Sequence, residues 1–200
     1  MPFISNGTTI LDNGAFSVSL GSQVLISEQT ASASASISFT SGIDSTYPIY
    51  KFEFINIHPA TNNASFQVNF STDGGSNYNV TKTTTNSRAY QNEAGTDTSL
   101  EYFSSEDLAQ STSDQIIGRT IGNDNDKCGS GILTLFNPSS TTFVKHFIIN
   151  SNTLEGSDYF TNYYIAGYGN TTSAINAVRF QFSSGNIDDG TIKLYGIKDS

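Results

Sequence analysis

Apolar residues recur at every second position in run after run of this chain, and that period restricts its fold more than any other feature. In "SFQVNFS" (65–71) Phe66, Val68 and Phe70 share one side, and "AVRFQFS" (177–183) and "TIKLYGIK" (191–198) follow the same rule. Successive side chains of a pleated strand project to opposite faces, so such a run covers a core with one face and meets water with the other. About a dozen runs of this kind recur, separated by Gly, Asn, Asp and Pro turn residues. Helical periodicity is nearly absent. The fold expected is all-β: an antiparallel β-sandwich, jelly-roll-like, with little or no helix.

Three runs carry particular expectations. "TASASASISFT" (30–40) alternates without a break, which predicts a strand with Ala31, Ala33, Ala35, Ile37 and Phe39 inward and a small-residue face under a second layer. In "PIYKFEFINIH" (48–58) the apolar phase moves from Tyr50, Phe52 and Phe54 to Ile55 and Ile57. That shift predicts a bulge at Phe54–Ile55 or a strand buried on both sides. "TDGGS" (72–76) between "SFQVNFS" and "NYNVTKTT" predicts a hairpin. "SSEDLAQSTSDQ" (104–115) is the single helix-like piece, with Ser104 and Asp107 at capping-box spacing, and is too poor in apolar residues for more than a turn or two. The division expected is an N-terminal arm or docking segment over 1–20, carrying Phe3, Ile4, Ile10, Leu11 and Phe16, and a single sandwich domain over 21–200.

Ser, Thr and Asn make up more than a third of the 200 residues, yet 14 Phe and 10 Tyr within the alternating runs separate this composition from a disordered one. The net charge is −9, and the nine basic residues are scattered with no two adjacent. Such a surface repels nucleic-acid phosphates and anionic lipid, so no direct nucleic-acid contact is expected. No window approaches the ~18 apolar residues of a spanning helix, and no membrane insertion is expected. The first residues, "MPFISNGTTILDNGAF", lack the basic and apolar regions of a secretory signal. Cys128 stands alone, so no intrachain disulfide forms.

The material for catalysis is thin. His58 ends a strand before Pro59, His146 lies within one, and neither belongs to a nucleophile, zinc or phosphate-loop motif. Glu101, Glu106, Asp107, Asp188 and Asp189 fall mostly in turns, where solvated carboxylates are the rule. "NDNDKCG" (123–129) has the alternating acid/amide spacing of a calcium loop but puts Cys128 at a ligand position and lacks the closing glutamate. "STDGGSNY" (71–78) resembles the Asp-box of sialidase-like hairpins with Tyr78 in place of tryptophan, an element that braces a turn and does no chemistry. The expectation is a protein that is no enzyme, with no cofactor and no metal. The densest aromatic stretch is "SDYFTNYYIAGYGN" (157–170). Tyr159, Tyr163, Tyr164, Tyr168 and Asn162 are the candidate residues for a subunit interface or a glycan-facing surface, since an apolar ring with a polar tip tolerates partial wetting. If Tyr163 and Ile165 face inward, Tyr164 and Tyr168 face out.

Taken together, "TASASASISFTSGIDSTY", "FEFINIHPAT", "FNPSSTTFVKHF" and "GNIDDGTIKLYGIK" resemble a β-sandwich module of marine bacteriophage structural proteins, particularly those of short-tailed cyanophages. The similarity runs from about Gly21 to Lys198, and "MPFI" resembles the start of tail- or fibre-associated phage proteins. The resemblance implies a virion component made in the bacterial cytoplasm and transfers no functional residue. The partners it implies are other virion proteins, capsid or tail subunits, with a homo-oligomer of this chain and a possible host-surface glycan. A capsid decoration subunit is the first expectation and a tail- or fibre-associated subunit the second. A carbohydrate-binding sandwich is the reading from another class.

Overall fold

The computed structural model describes residues 22–198 in full, together with the side chain of Ile4 and the backbone of Phe3–Ser5 (β1), Thr8–Asp12 (β2) and Ala15–Phe16 (β3), which pair as an antiparallel meander. The alternation of the sequence becomes two further antiparallel sheets packed face to face. From edge to edge, the larger runs β4 (Gln23–Thr30), β15 (Ile187–Ile197), β6 (Ile49–Pro59), β11 (Gly129–Phe136), β12 (Lys145–Leu154), β13 (Tyr159–Gly169), β8 (Lys82–Asn92) and β9 (Thr98–Tyr102). The smaller runs β10 (Gln115–Ile121), β7 (Ala64–Ser71), β14 (Ala177–Phe182) and β5 (Ile37–Phe39). Among the described residues there is no α-helix; Ser104–Glu106 forms one 3-10 turn without a side-chain cap, so the expected capping box does not form.

Aromatic rings fill the space between the layers. Phe180 of the small sheet stacks on Phe66 at 5.8 Å and meets Phe52 of the large sheet at 5.6 Å, with Phe39 edge-on to Phe52 at 5.4 Å. All four are essentially inaccessible. Each such ring removes a large apolar area from water, and offset or edge contacts add to that term.

The phase change in β6 is a bulge. From Phe54 to Ile57 β6 advances three residues while β11 advances two, from Gly131 to Gly129. The extra residue places Ile55 outward and restores Ile57 to the core, and Asn56 takes φ 51°. The bulge thus lies one residue beyond the expected position, and β6 is not buried on both sides. On the neighbouring strand Gly190 holds φ 121°, where a Cβ would lie 2.8 Å from the Asn56 carbonyl. Only glycine fits that approach.

Two further expectations are overturned. "TASASASISFT" is not one strand: after Thr30, which ends β4, only Ile37–Phe39 is regular, Ala33 and Ala35 are exposed, and Ala33 sits at φ 50°. The segment carries the chain from the edge of the large sheet to the edge of the small one. Ala31 and Ser34 still hydrogen-bond to Gly190 and Ile187 of β15 before the crossing. Small side chains are selected there by a corner, not by a closely packed face. Likewise the turn after β7 does not make a hairpin. β7 pairs with β10 and β14, whereas the chain beyond the turn crosses to the large sheet and becomes β8. The turn itself is braced as the sequence suggests: Asp73 Oδ1 accepts from Asn77 N at 2.8 Å and from the Ser71 hydroxyl at 2.6 Å, which holds its carboxyl down to about 2.

Candidate functional site

Eight strands oppose four, and within residues 22–198 no further sheet covers the outward side of the large one. Cross-strand register assembles this face from segments far apart in sequence. One row reads Leu100, Ala89, Asn162, Asn152 and Ser130, and the next reads Tyr102, Ser87, Tyr164, Asn150 and Ile132. A third holds Thr85, Ala166, Ile148 and Thr134. Across the outward positions of β9, β8, β13, β12 and β11 there is no Asp, Glu, Lys or Arg. His146 is the one imidazole, its ring centroid 6.0 Å from that of Tyr168. Along the sheet charge resumes on β6, β15 and β4, where Lys51 pairs with Glu53 at 2.8 Å and Lys193 with Glu28 at 3.2 Å, and at the β9 border the Asp107 carboxylate accepts from the Tyr102 hydroxyl.

Large apolar groups stand open on this neutral area. Leu100 is 81% exposed, Tyr164 54% and Phe160 52%. Depletion of charge together with exposed aromatics marks the central part of protein interfaces, and solvated faces of acidic proteins do not show it. Leu100 also lies on the last strand of the sheet, whose outer backbone edge offers a further strand-pairing position.

The five candidate aromatic and amide residues do not form one platform. Tyr163 is fully buried, its hydroxyl donating to Glu155 Oε1 at 3.3 Å, and burial pushes its phenol well up. Tyr159 shares the inward phase and donates to Asp97 Oδ2 at 2.9 Å. Tyr164 and Asn162 lie on the neutral face, the latter donating to the Ser151 carbonyl. Tyr168 also lies there, half-buried, with its hydroxyl accepting from Gln110. This splitting is what period two requires of a single strand. Of the arm residues, Ile4 is exposed, whereas the side chains of Phe3, Ile10, Leu11 and Phe16 lie outside the described residues. Phe160 belongs to the aromatic stretch 157–170, whereas Leu100 and Ile132 carry no signal in the sequence, because single exposed apolar residues in separate runs come together only when the strands are aligned.

Other reactive groups are engaged locally. The "NDNDKCG" loop is closed by its own lysine: Lys127 Nζ lies 2.7 Å from Asp158 Oδ1, 3.2 Å from Asp124 Oδ2 and 3.1 Å from the Gly156 carbonyl. An ammonium thus occupies the centre of the acidic loop. His58 bridges the Asp124 carbonyl and Asp188, and burial pushes the Cys128 thiol up, away from the nucleophilic thiolate. Glu101 pairs with Arg88, Glu106 with Arg119, and Asp107 accepts from Tyr102. Asp189 accepts from the backbone of Gly190.

Comparison of the chain with protein-family models, with curated proteins and with solved structures returns no match in any of the three.

Proposed function

We propose that this chain is a non-enzymatic virion subunit, a capsid decoration protein that docks on neighbouring capsid proteins through the neutral outer face of β9, β8, β13, β12 and β11. The observation that carries this reading is the exclusion of charge from the outward positions of five adjoining strands of a protein whose net charge is −9. A subunit of that sign is repelled by acidic neighbours and by its own copies, and a neutral patch is where contact costs least. The phage assignment rests on the sequence resemblance.

The area bears on how many contacts are needed. Five strands at ~4.8 Å spacing and about seven residues at ~3.3 Å cover roughly 550 Å². A stable one-to-one interface uses about 800 Å² per partner. One such face is therefore weak alone and suits repeated engagement on a lattice, where linked copies gain avidity; this supports a homo-oligomer. A tail- or fibre-associated position is the second reading, favoured by the exposed edge strand β9, which could add to a neighbouring sheet.

Mass spectrometry of purified particles tests the assignment. Stoichiometric presence, with labelled antibody on the head lattice, is the result expected. Label on the tail selects the second reading, and absence of the chain from clean particles overturns both.

A further inference from the structure

Beyond the edge of the small sheet, the inward side of β13 and β8 opens into a cleft of about 360 Å³ on the opposite face from the docking surface. Its aromatic wall is a pair of rings, Tyr90 and Tyr159, 5.6 Å apart and inclined at 66° in an edge-to-face contact. Around them stand two guanidiniums, Arg88 and Arg119, and two carboxylates, Asp97 and Glu155.

These groups are fixed to different degrees. Arg88 is clamped, with Nε and Nη2 both 2.7 Å from Glu101 Oε1 and its guanidinium carbon 3.7 Å from the centre of the Phe103 ring. Glu155 is saturated by protein hydroxyls, with Thr161 at 2.7 Å, Thr120 at 3.0 Å and Tyr163 at 3.3 Å. Arg119 is looser, 41% exposed in its side chain and 3.6 Å from Glu106 Oε1. Asp97 accepts from Tyr159 on Oδ2, and among the described residues its Oδ1 receives no hydrogen bond. The cleft thus has a rigid floor and two planar polar groups at its mouth with capacity to spare.

The lining selects a ligand class. Two positive and two negative groups cancel, so a strongly anionic ligand such as a nucleotide gains nothing here, and an apolar ligand would strip water from four charges. A sugar ring suits it: paired hydroxyls match the forks of guanidinium and carboxylate, and the C–H face of the ring packs on tyrosine. The volume lies at the lower end of small-molecule sites, enough for one or two rings. We propose that this cleft is a saccharide-binding site, with Asp97 and Arg119 holding ring hydroxyls and Tyr90 and Tyr159 providing the apolar wall. The proposal does not rest on the docking reading, since the two surfaces lie on opposite sides of the large sheet.

The test is an amide NMR titration of the full chain with glucose, galactose, N-acetylglucosamine and glucuronate, each taken well past a Kd of about 1 mM. At least one sugar should shift resonances clustered at 88–97, 119–120 and 155–161. Asp97→Ala and Arg119→Met, both at exposed side chains, should each weaken it at least about tenfold, the loss of one charged hydrogen bond. Tyr164→Ala, on the far face, should leave it unchanged. No shift with any of the four sugars overturns the proposal, as does binding that survives both cleft variants. A failure of the neutral face to dock on particles leaves this result untouched.

Discussion

Lys82 is fully buried at the start of β8, its ammonium donating to Asn69 Oδ1 at 2.6 Å and to the Val80 carbonyl at 2.8 Å. Burial lowers its pKa from 10.5 to about 8, opposed only in part by Asp114. The sign follows from proton counting. Below about pH 8 lysine is charged in both states, and the fold carries the whole cost of a buried ammonium. Between about 8 and 10.5 the folded protein gives up that proton while the unfolded chain keeps it, so stability rises with pH. For those two pKa values the gain from about pH 7 to pH 10 is about 2.5 kcal/mol. Lys82→Met removes the titration and leaves Asn69 Oδ1 still accepting from the backbone of Phe70. Urea unfolding of both proteins across this range isolates the lysine, because tyrosine titration is common to the two. Wild type minus variant should climb by about 2–3 kcal/mol. Parallel curves would refute the reasoning and mean that the ammonium is solvated in the folded protein.

Two further perturbations probe the scaffold. Phe180→Ala empties the centre of the ring cluster between the sheets and should cost about 3–5 kcal/mol in urea unfolding, with a native-like spectrum retained at low denaturant. Gly190→Ala places a methyl against the Asn56 carbonyl at a φ that alanine avoids; a loss of about 1–3 kcal/mol is expected, and none would mean that the bulge relaxes freely.

The layered all-β architecture was legible because large aromatics marked one side of most strands, and in β6 even the bulge announced itself through the move from Phe54 to Ile57. The Ala/Ser segment misled for a physical reason. Methyl and hydroxyl groups differ little in volume, so their alternation carries hardly any packing information, and Ala33 was free to turn left-handed at a corner. The Asp73 turn was read correctly as a turn, but the same hydrogen bonds serve whether the next strand joins the same sheet or the other one. Neither candidate surface could be read along the chain. The neutral face is a property of register, needing Leu100, Tyr164 and Ile132 on one side of five adjoining strands, and the cleft needs Tyr90 beside Tyr159 across a pair of strands distant in sequence.

Particle occupancy of a charge-inserted variant probes the docking claim most directly. Tyr164→Glu puts an unpaired carboxylate at the middle of the neutral face, on a side chain already 54% exposed, so folding should be unaffected. Copies per purified particle, counted against wild type, should fall at least about tenfold, the effect of burying one unpaired charge at an interface. Occupancy equal to wild type, from a variant with an unchanged unfolding midpoint, would contradict the assignment of this face.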